Sequence, residues 1–169
     1  MRRCAVLACL LAVGVWLSAC RAEEPMEPVT SGFRCQAEVI FDGMTVCGTL
    51  TREAAGTLTL SLTAPKELAG LTAAWDGTQV VLSLGSMRLA AAAGQTPMEA
   101  PLSRLCEALD LSQGQRGCMT DEAVVLENGT DTYGYVLRYD AATGFPQTLT
   151  VSDPAIEAVF TDWERTTTE

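Results

Sequence analysis

The sequence predicts a mainly β (α+β) fold: a strongly curved antiparallel meander, or half-open β-barrel, of about ten strands with one amphipathic helix on its concave face. Three observations support this. Apolar residues recur at every second position over most of 32–163, as in strands with one buried face. Turn signals such as Asp42-Gly43 interrupt the alternation at short intervals. One stretch, Ala100 to Asp110, has helical periodicity instead.

The first two strands form a hairpin around Asp42-Gly43. A two-residue turn there places Phe41 opposite Met44. In that register Cys35 and Cys47 point to opposite faces of the sheet, and only a bulge at the turn would bring them to one face and allow a disulfide.

Further strand patterns follow along the chain, separated by turns. They cover 57–63, 71–75, 78–84, 86–89, 123–126, 133–139, 145–151 and 156–163. Pro65 to Gly70 breaks the alternation and predicts one helical turn. Asn128-Gly129 predicts a tight turn before the last three strands.

The helix has apolar residues at i, i+3, i+4 and i+7, which gives it one apolar stripe. These residues are Leu102, Leu105, Cys106 and Leu109. The stripe is expected to lie on the apolar face of the sheet. The polar side, which includes Glu107 and Asp110, is expected to face solvent.

The N-terminal segment begins with Met1-Arg2-Arg3, continues with the apolar block 5–17 and ends in Leu17-Ser18-Ala19-Cys20. A basic start, an apolar middle and small residues before a cleavage point predict a secretory signal. The final four residues resemble the lipobox of bacterial lipoproteins, which implies that Cys20 carries lipid and holds the protein on the extracytoplasmic face of the cell membrane. The alternative is an ordinary signal with a chance cysteine.

The predicted organisation is a signal peptide over 1–19, a lipid-anchored tether over 20–31 and a β-rich domain over 32–165. The tether is acidic and contains Pro25 and Pro28, as extended linkers do. After residue 19 the chain keeps nine Lys and Arg against 21 Asp and Glu, a formal charge of −12. Such a surface repels nucleic acid and lacks a basic patch for anionic lipids.

Catalytic patterns are absent from the sequence. The chain has no histidine, which excludes Ser-His-Asp and Cys-His arrangements and zinc catalysis through histidine ligands. Its only lysine, Lys66, has no Ser-x-x-Lys motif around it. Three carboxylate pairs are interpreted as surface charge: Glu107/Asp110, Asp121/Glu122 and Asp162/Glu164. We therefore expect a non-enzymatic protein without a metal or cofactor.

Two sets of residues remain as candidates for a structural or binding role. Cys106 and Cys118 could form a disulfide that fixes the helix to the next strand, or remain free thiols. Four aromatic residues could line a ligand-binding concavity or belong to the core. They are Trp75, Tyr133, Tyr135 and Phe160.

Two motifs add a family resemblance to this layout. They are Pro65-x-x-Leu68-x-Gly70 between strands and Tyr139-Asp140-Ala-Ala-Thr-Gly144-x-Pro146-x-x-Leu149 after the helix. Together with the lipidated N-terminus, the chain resembles the lipoprotein-carrier fold of LolA and LolB type, an unclosed barrel covered by helices on its concave side. The resemblance implies binding of a hydrophobic ligand or a lipoprotein. A related group, the germination lipoproteins of Firmicutes, implies an alternative role as a regulatory or docking subunit of a cell-wall enzyme such as an amidase.

Overall fold

The computed structural model describes residues 26–92, 96, 98–120 and 123–166. The expected signal 1–19, Cys20 and the first part of the tether lie outside the described residues. Within those ranges, no helix is long and apolar enough to cross a membrane.

Eleven strands in the described ranges form one antiparallel sheet. They are β1 (Phe33–Phe41), β2 (Met44–Arg52), β3 (Leu58–Ala64), β4 (Thr72–Trp75), β5 (Gln79–Leu84), β6 (Met87–Ala92), β7 (Cys118–Met119), β8 (Val124–Gly129), β9 (Gly134–Tyr139), β10 (Pro146–Ser152) and β11 (Ala155–Arg165). A 3₁₀ turn, Lys66–Leu68, lies at the predicted break, and one α-helix, α1 (Glu99–Leu111), follows β6.

The strand order explains the position of the helix. It runs β6-β5-β4-β3-β2-β1-β11-β10-β9-β8-β7, so β6 and β7 are the two edges and the sheet is not closed. Because α1 connects β6 to β7, it must pass from one edge to the other, and it contacts β3, β4, β8 and β10 on the way. The predicted fold class, a curved half-open meander with one helix, is confirmed.

The register agrees with the predicted hairpin. Phe41 pairs with Met44, and Cys35 is buried while Cys47 on the other face is half-buried. Residues at alternate positions of β1 and β2 form the core, as a sheet with one buried face requires.

Irregularities in three strand pairs bend the sheet. The register shifts between Arg34 and Gln36, between Cys47 and Gly48, and between Pro146 and Thr148. Extra residues of this kind bend a strand and increase its twist. Glycine is required at Gly48, where a Cβ would lie 2.2 Å from the carbonyl oxygen of Ser61.

The turn between β8 and β9 differs from the prediction. Gly129 still pairs with Gly134 in the sheet, so Asn128-Gly129 belongs to β8. The turn follows it, where the Thr130 amide donates to the Tyr133 carbonyl at 2.9 Å. The hydroxyl of Thr130 also accepts from the amide of Thr132 at 3.3 Å. This local side-chain bond stabilises the later turn.

The last residues of the expected tether lie on the domain. Pro28 and Thr30 are buried, and the Val29 amide donates to the Gly144 carbonyl at 2.7 Å. Gly144 has a φ of 73°, and a Cβ there would lie 2.4 Å from the carbonyl oxygen of Glu27. Residues 26–30 are therefore held against the loop between β9 and β10.

Because neighbouring strands are antiparallel, the turns that join them lie alternately at the two opposite ends of the sheet. We name the end that holds residues 26–31 and the β9–β10 loop the tether end. The other end carries the β1–β2, β5–β6 and β10–β11 turns, and we name it the distal end. The C-terminal part of α1 lies at the tether end, since Asp110 contacts Gly56 in the β2–β3 turn.

Candidate functional site

The inner, helix-bearing face of the sheet continues beyond the helix onto β5 and β6. Leu82 pairs with Leu89, and Leu84 pairs with Met87. These residues have the same parity as the buried Val80, so their side chains lie on the inner face. The apolar alternation therefore runs to the β6 edge.

This outer part of the inner face is open. Leu84 is 42% exposed, Met87 67% and Leu89 59%. Large apolar side chains that are exposed side by side mark a binding surface more often than isolated ones do. The residues line a cavity of about 450 Å³, which we name the hairpin groove: Leu71, Leu82, Leu84, Met87, Arg88 and Leu89.

The hairpin also differs from the rest of the chain in charge. The whole chain has a formal charge of −10. Between Asp76 and Glu99, however, the only charged residue is Arg88, which is exposed on β6. The hairpin that carries the open apolar surface thus has one cation and no carboxylate of its own.

The part of the inner face that α1 covers contains an ion pair between a buried arginine and a partly buried aspartate. Arg52, at the end of β2, is 1% exposed and donates to Asp110 and to the Cys106 carbonyl at 3.0 Å. Asp110 also accepts from the Gly56 amide at 3.2 Å. These contacts fix the C-terminal end of α1 to β2 and to the following turn.

The expectation that Asp110 faces solvent is wrong, because the carboxylate turns inward to Arg52. Sequence reasoning missed Arg52, although a signal was present. Arg52 continues the alternation of Val46 and Leu50 on β2, so its parity places a charge on the apolar face. Such a charge requires a buried partner.

The cysteines in the described part of the chain are free thiols. Cys106 is buried against Arg52, whereas Cys118 is exposed on β7. Of the two alternatives for this pair, a disulfide or free thiols, the structure has the free thiols. Burial raises the pKa of Cys35 to about 12. Burial also raises the pKa of Cys106 to about 11, against the lowering effect of the nearby Arg52 charge. Both thiols are therefore protonated at neutral pH and are poor nucleophiles.

The four aromatic residues considered either as ligand-lining or as core residues pack in or against the core. Tyr133, Tyr135 and Phe160 are buried, and Trp75 is partly buried against the same cluster. The guanidinium of Arg104 lies 4.6 Å from the centroid of the Tyr133 ring. Burial raises the tyrosine pKa at Tyr133 and Tyr135. None of the four lines the hairpin groove.

A second aromatic cluster was not predicted. Trp163 stacks on Phe145 at 5.0 Å between ring centroids and meets Phe33 edge-on at 4.7 Å. Simple alternation from Phe160 would place Trp163 on the opposite face. The register irregularity beside Asp162, whose φ is 53°, restores Trp163 to the inner side. A local change of this kind has no signature in the apolar pattern.

The structure brings no catalytic set together in the ranges it describes. Glu107 binds Arg104 of the same helix at 2.9 Å, and Asp110 binds Arg52 of β2, so both carboxylates are engaged in ion pairs. Asp121 and Glu122 lie outside the described residues. No group of three or more metal-binding side chains occurs in the described part of the chain.

Comparisons with known proteins give similarity to solved structures only. No protein-family model matches the chain, and no curated protein does. An uncharacterised conserved protein from Thermus thermophilus shares 9% identity at a TM-score of 0.49, over 83% of this chain and 82% of that one. A LolA superfamily protein from Nitrosomonas europaea shares 10% identity at a TM-score of 0.47, over 85% and 90%.

The third similar structure is MucB in complex with MucA(peri). It shares 17% identity at a TM-score of 0.33, and the match covers 81% of this chain and 51% of MucB. The chain thus spans about half the length of that protein. All three TM-scores are below 0.5, so the fold described above rests on strand order and register.

Proposed function

We propose that this protein is a lipid-anchored, non-enzymatic protein of the cell envelope that binds a hydrophobic ligand in the hairpin groove. The observation that carries this proposal is the uncovered continuation of the inner face. Leu84, Met87 and Leu89 follow the same alternation as the core but have no described partner above them.

The groove has properties that suit an apolar ligand. Its volume of about 450 Å³ falls within the roughly 300–1,000 Å³ typical of small-molecule sites. Apart from Arg88, its lining residues are apolar, and the parity of Arg88 on β6 places the guanidinium on the outer face, beside the groove and not inside it. Transfer of an acyl chain into such a groove gains roughly 0.8 kcal/mol per buried methylene. An acyl chain, free or carried by another lipoprotein, is the ligand class we propose.

The membrane anchor in this proposal is Cys20, on the extracytoplasmic face of the cell membrane. It is supported by Leu17-Ser18-Ala19-Cys20 and by the docking of Val29 on the domain. Cys20 is six residues before Met26, a reach of roughly 20 Å in an extended chain. Met26 lies at the tether end, whereas the β5–β6 turn is at the distal end. The β5–β6 turn, next to Leu84 and Met87 of the groove, is then at the end of the sheet farther from the bilayer.

Native mass spectrometry of the protein purified from its own membrane tests the binding proposal. We expect a bound acyl-chain mass that is lost on collisional activation, while lipid attached to Cys20 stays. Leu89→Gln should reduce that mass. Val159→Gln, which changes an exposed apolar residue on the outer face, is the matched control and should not. A stoichiometric protein partner without lipid would instead support a docking subunit and contradict the ligand proposal.

The anchor is tested separately with Cys20→Ala. Without the acylated thiol, the protein should leave the membrane fraction, because no helix of the described domain can hold it there. Fractionation of cells that express the two forms measures this. A Cys20→Ala protein that stays in the membrane refutes the anchor.

A further inference from the structure

The outer edge of β6 presents backbone groups that no described strand takes up. In the described part of the chain, β6 pairs with β5 alone. The two strands are joined by the two-residue turn Gly85-Ser86, so the amide of Met87 turns toward β5. Alternate residues of an antiparallel strand direct their backbone groups to opposite sides. The N–H and C=O groups of Arg88 and Ala90 therefore point away from the sheet.

Natural edge strands usually prevent further pairing. Common devices are proline, bulges, several lysines or a very short strand. β6 has six residues, Met-Arg-Leu-Ala-Ala-Ala, without proline, and its pairing with β5 is regular from Met87 to Ala92. Arg88 is its single charge. This edge is thus open to an added strand.

The side chains beside this edge indicate what such a strand would contain. Met87 and Leu89 border the hairpin groove on the inner face, so a strand beside them would place apolar side chains over the groove. Arg88 lies between them in sequence and points to the outer face. An acidic residue in the added strand would pair with it. A second copy of β6 has no carboxylate to offer Arg88.

We infer that the β6 edge is a docking site for an extended segment of a partner protein. The segment adds to the sheet beside β6, with apolar residues at every second position over the hairpin groove and an acidic residue opposite Arg88. This inference rests on the groove being a binding site, as proposed above. It adds the backbone contacts and the chemistry of the partner.

The test uses the full protein in detergent and a synthetic peptide of about eight residues that alternates leucine with glutamate and threonine. Two N-methylated versions of the peptide have the same side chains. In an antiparallel addition, the amides of the polar residues face β6. N-methylation there should weaken binding about tenfold, since each lost hydrogen bond and its steric block cost affinity. N-methylation of the leucines should leave affinity unchanged.

Two protein variants sharpen the result. Ala90→Pro removes an outward amide at an edge position where proline is tolerated. It should abolish peptide binding while an acyl probe still binds. Arg88→Gln should weaken the glutamate peptide several-fold but not a peptide with threonine in place of glutamate, because only the former pairs with the guanidinium.

Equal affinities of the two N-methylated peptides overturn the inference. In strand addition only every second amide of the peptide bonds to β6, so only one of the two methylation patterns should weaken binding. Acyl binding without peptide binding also overturns it and leaves the proposed function standing. Peptide binding without acyl binding supports the docking edge and contradicts the ligand proposal. A dimer of the protein alone that Ala90→Pro converts to a monomer would assign the edge to a second copy and overturn the partner.

Discussion

The inner face of this sheet has two parts that share the same alternation of apolar residues but differ in burial. On β2 and β3, apolar residues such as Leu50 and Leu60 are fully buried under or beside α1. On β5 and β6, Leu84 and Leu89 follow the same alternation and remain exposed. Alternation decides which face of a strand is apolar. The path of the connecting helix decides which part of that face becomes core.

Because of this difference, the covered part contributes to the stability of the fold, whereas the open part is available for binding. Burial of apolar surface supplies the main favourable free energy of folding, about 25 cal/mol per Å². The covered part has already gained this free energy in the folded protein. The hairpin groove gains it only when a ligand or partner arrives. Substitutions in the two parts should therefore change different measurable quantities.

The largest loss of stability is expected where the covered part contains its ion pair. Asp110→Ala leaves the Arg52 charge buried without its carboxylate, which we expect to lower the free energy of unfolding by about 3–5 kcal/mol. Urea unfolding measures the loss. The double variant Arg52→Met/Asp110→Ala should recover part of it, because it also removes the stranded charge. A loss near zero in the single variant would show that the pair does not hold the helix.

A slightly smaller loss is expected for the apolar contact of the helix. Leu105 is fully buried, so Leu105→Ala should destabilise the protein by about 2–5 kcal/mol. Its counterpart in the open part is Leu89→Ala, which should change stability by less than about 0.5 kcal/mol. Chemical denaturation of both variants compares the two parts directly. Equal losses would mean that the hairpin belongs to the core.

Much of this comparison could be predicted from the sequence. The period-two pattern predicted the strands and the inner face, and the spacing of Leu102, Leu105 and Leu109 predicted the helix and its buried stripe. The Asp42-Gly43 turn predicted the register of the first hairpin. These features depend on local periodicity and turn chemistry, which a single sequence contains.

Other features depend on distant contacts or on local irregularities. Helical periodicity places Asp110 on the solvent side of the helix, because it contains no information about Arg52, 58 residues away. Trp163 joins the inner cluster only because the strand is irregular beside Asp162. The exposure of Met87 and Leu89 depends on where α1 crosses the sheet. That path follows from the strand order, which the alternation of apolar residues does not predict.

The smallest effect is expected at the tether end, outside both parts of the inner face. Asp140 accepts from the Thr143 hydroxyl at 2.8 Å and from the Thr143 amide at 2.7 Å. These bonds lower its pKa and shape the loop that holds Val29. Because the folded pKa is depressed, the contribution is present above the ordinary value of about 3.9 and is lost as pH falls through the folded pKa.

Hydrogen exchange of the Val29 amide checks this. Protection relative to the unstructured rate should decrease as the pH is lowered from about 5 to about 2. Asp140→Ala should show low protection at every pH. Asp140→Asn keeps the acceptor oxygen and should retain protection without the pH dependence. If protection is the same in the wild type and in both variants, the hydrogen bonds of Asp140 do not contribute to the docking of Val29.

The most direct test of the central claim is the dissociation constant of a fluorescent fatty-acid probe. The probe is titrated into the wild-type protein, Met87→Gln/Leu89→Gln and the outer-face control Val159→Gln. We expect the double variant to bind at least about tenfold more weakly, because it removes apolar surface worth more than 1.4 kcal/mol from the groove. Its urea midpoint should stay at the wild-type value, and the control should bind as the wild type does. Equal binding by all three proteins would contradict the assignment of the hairpin groove as the ligand site.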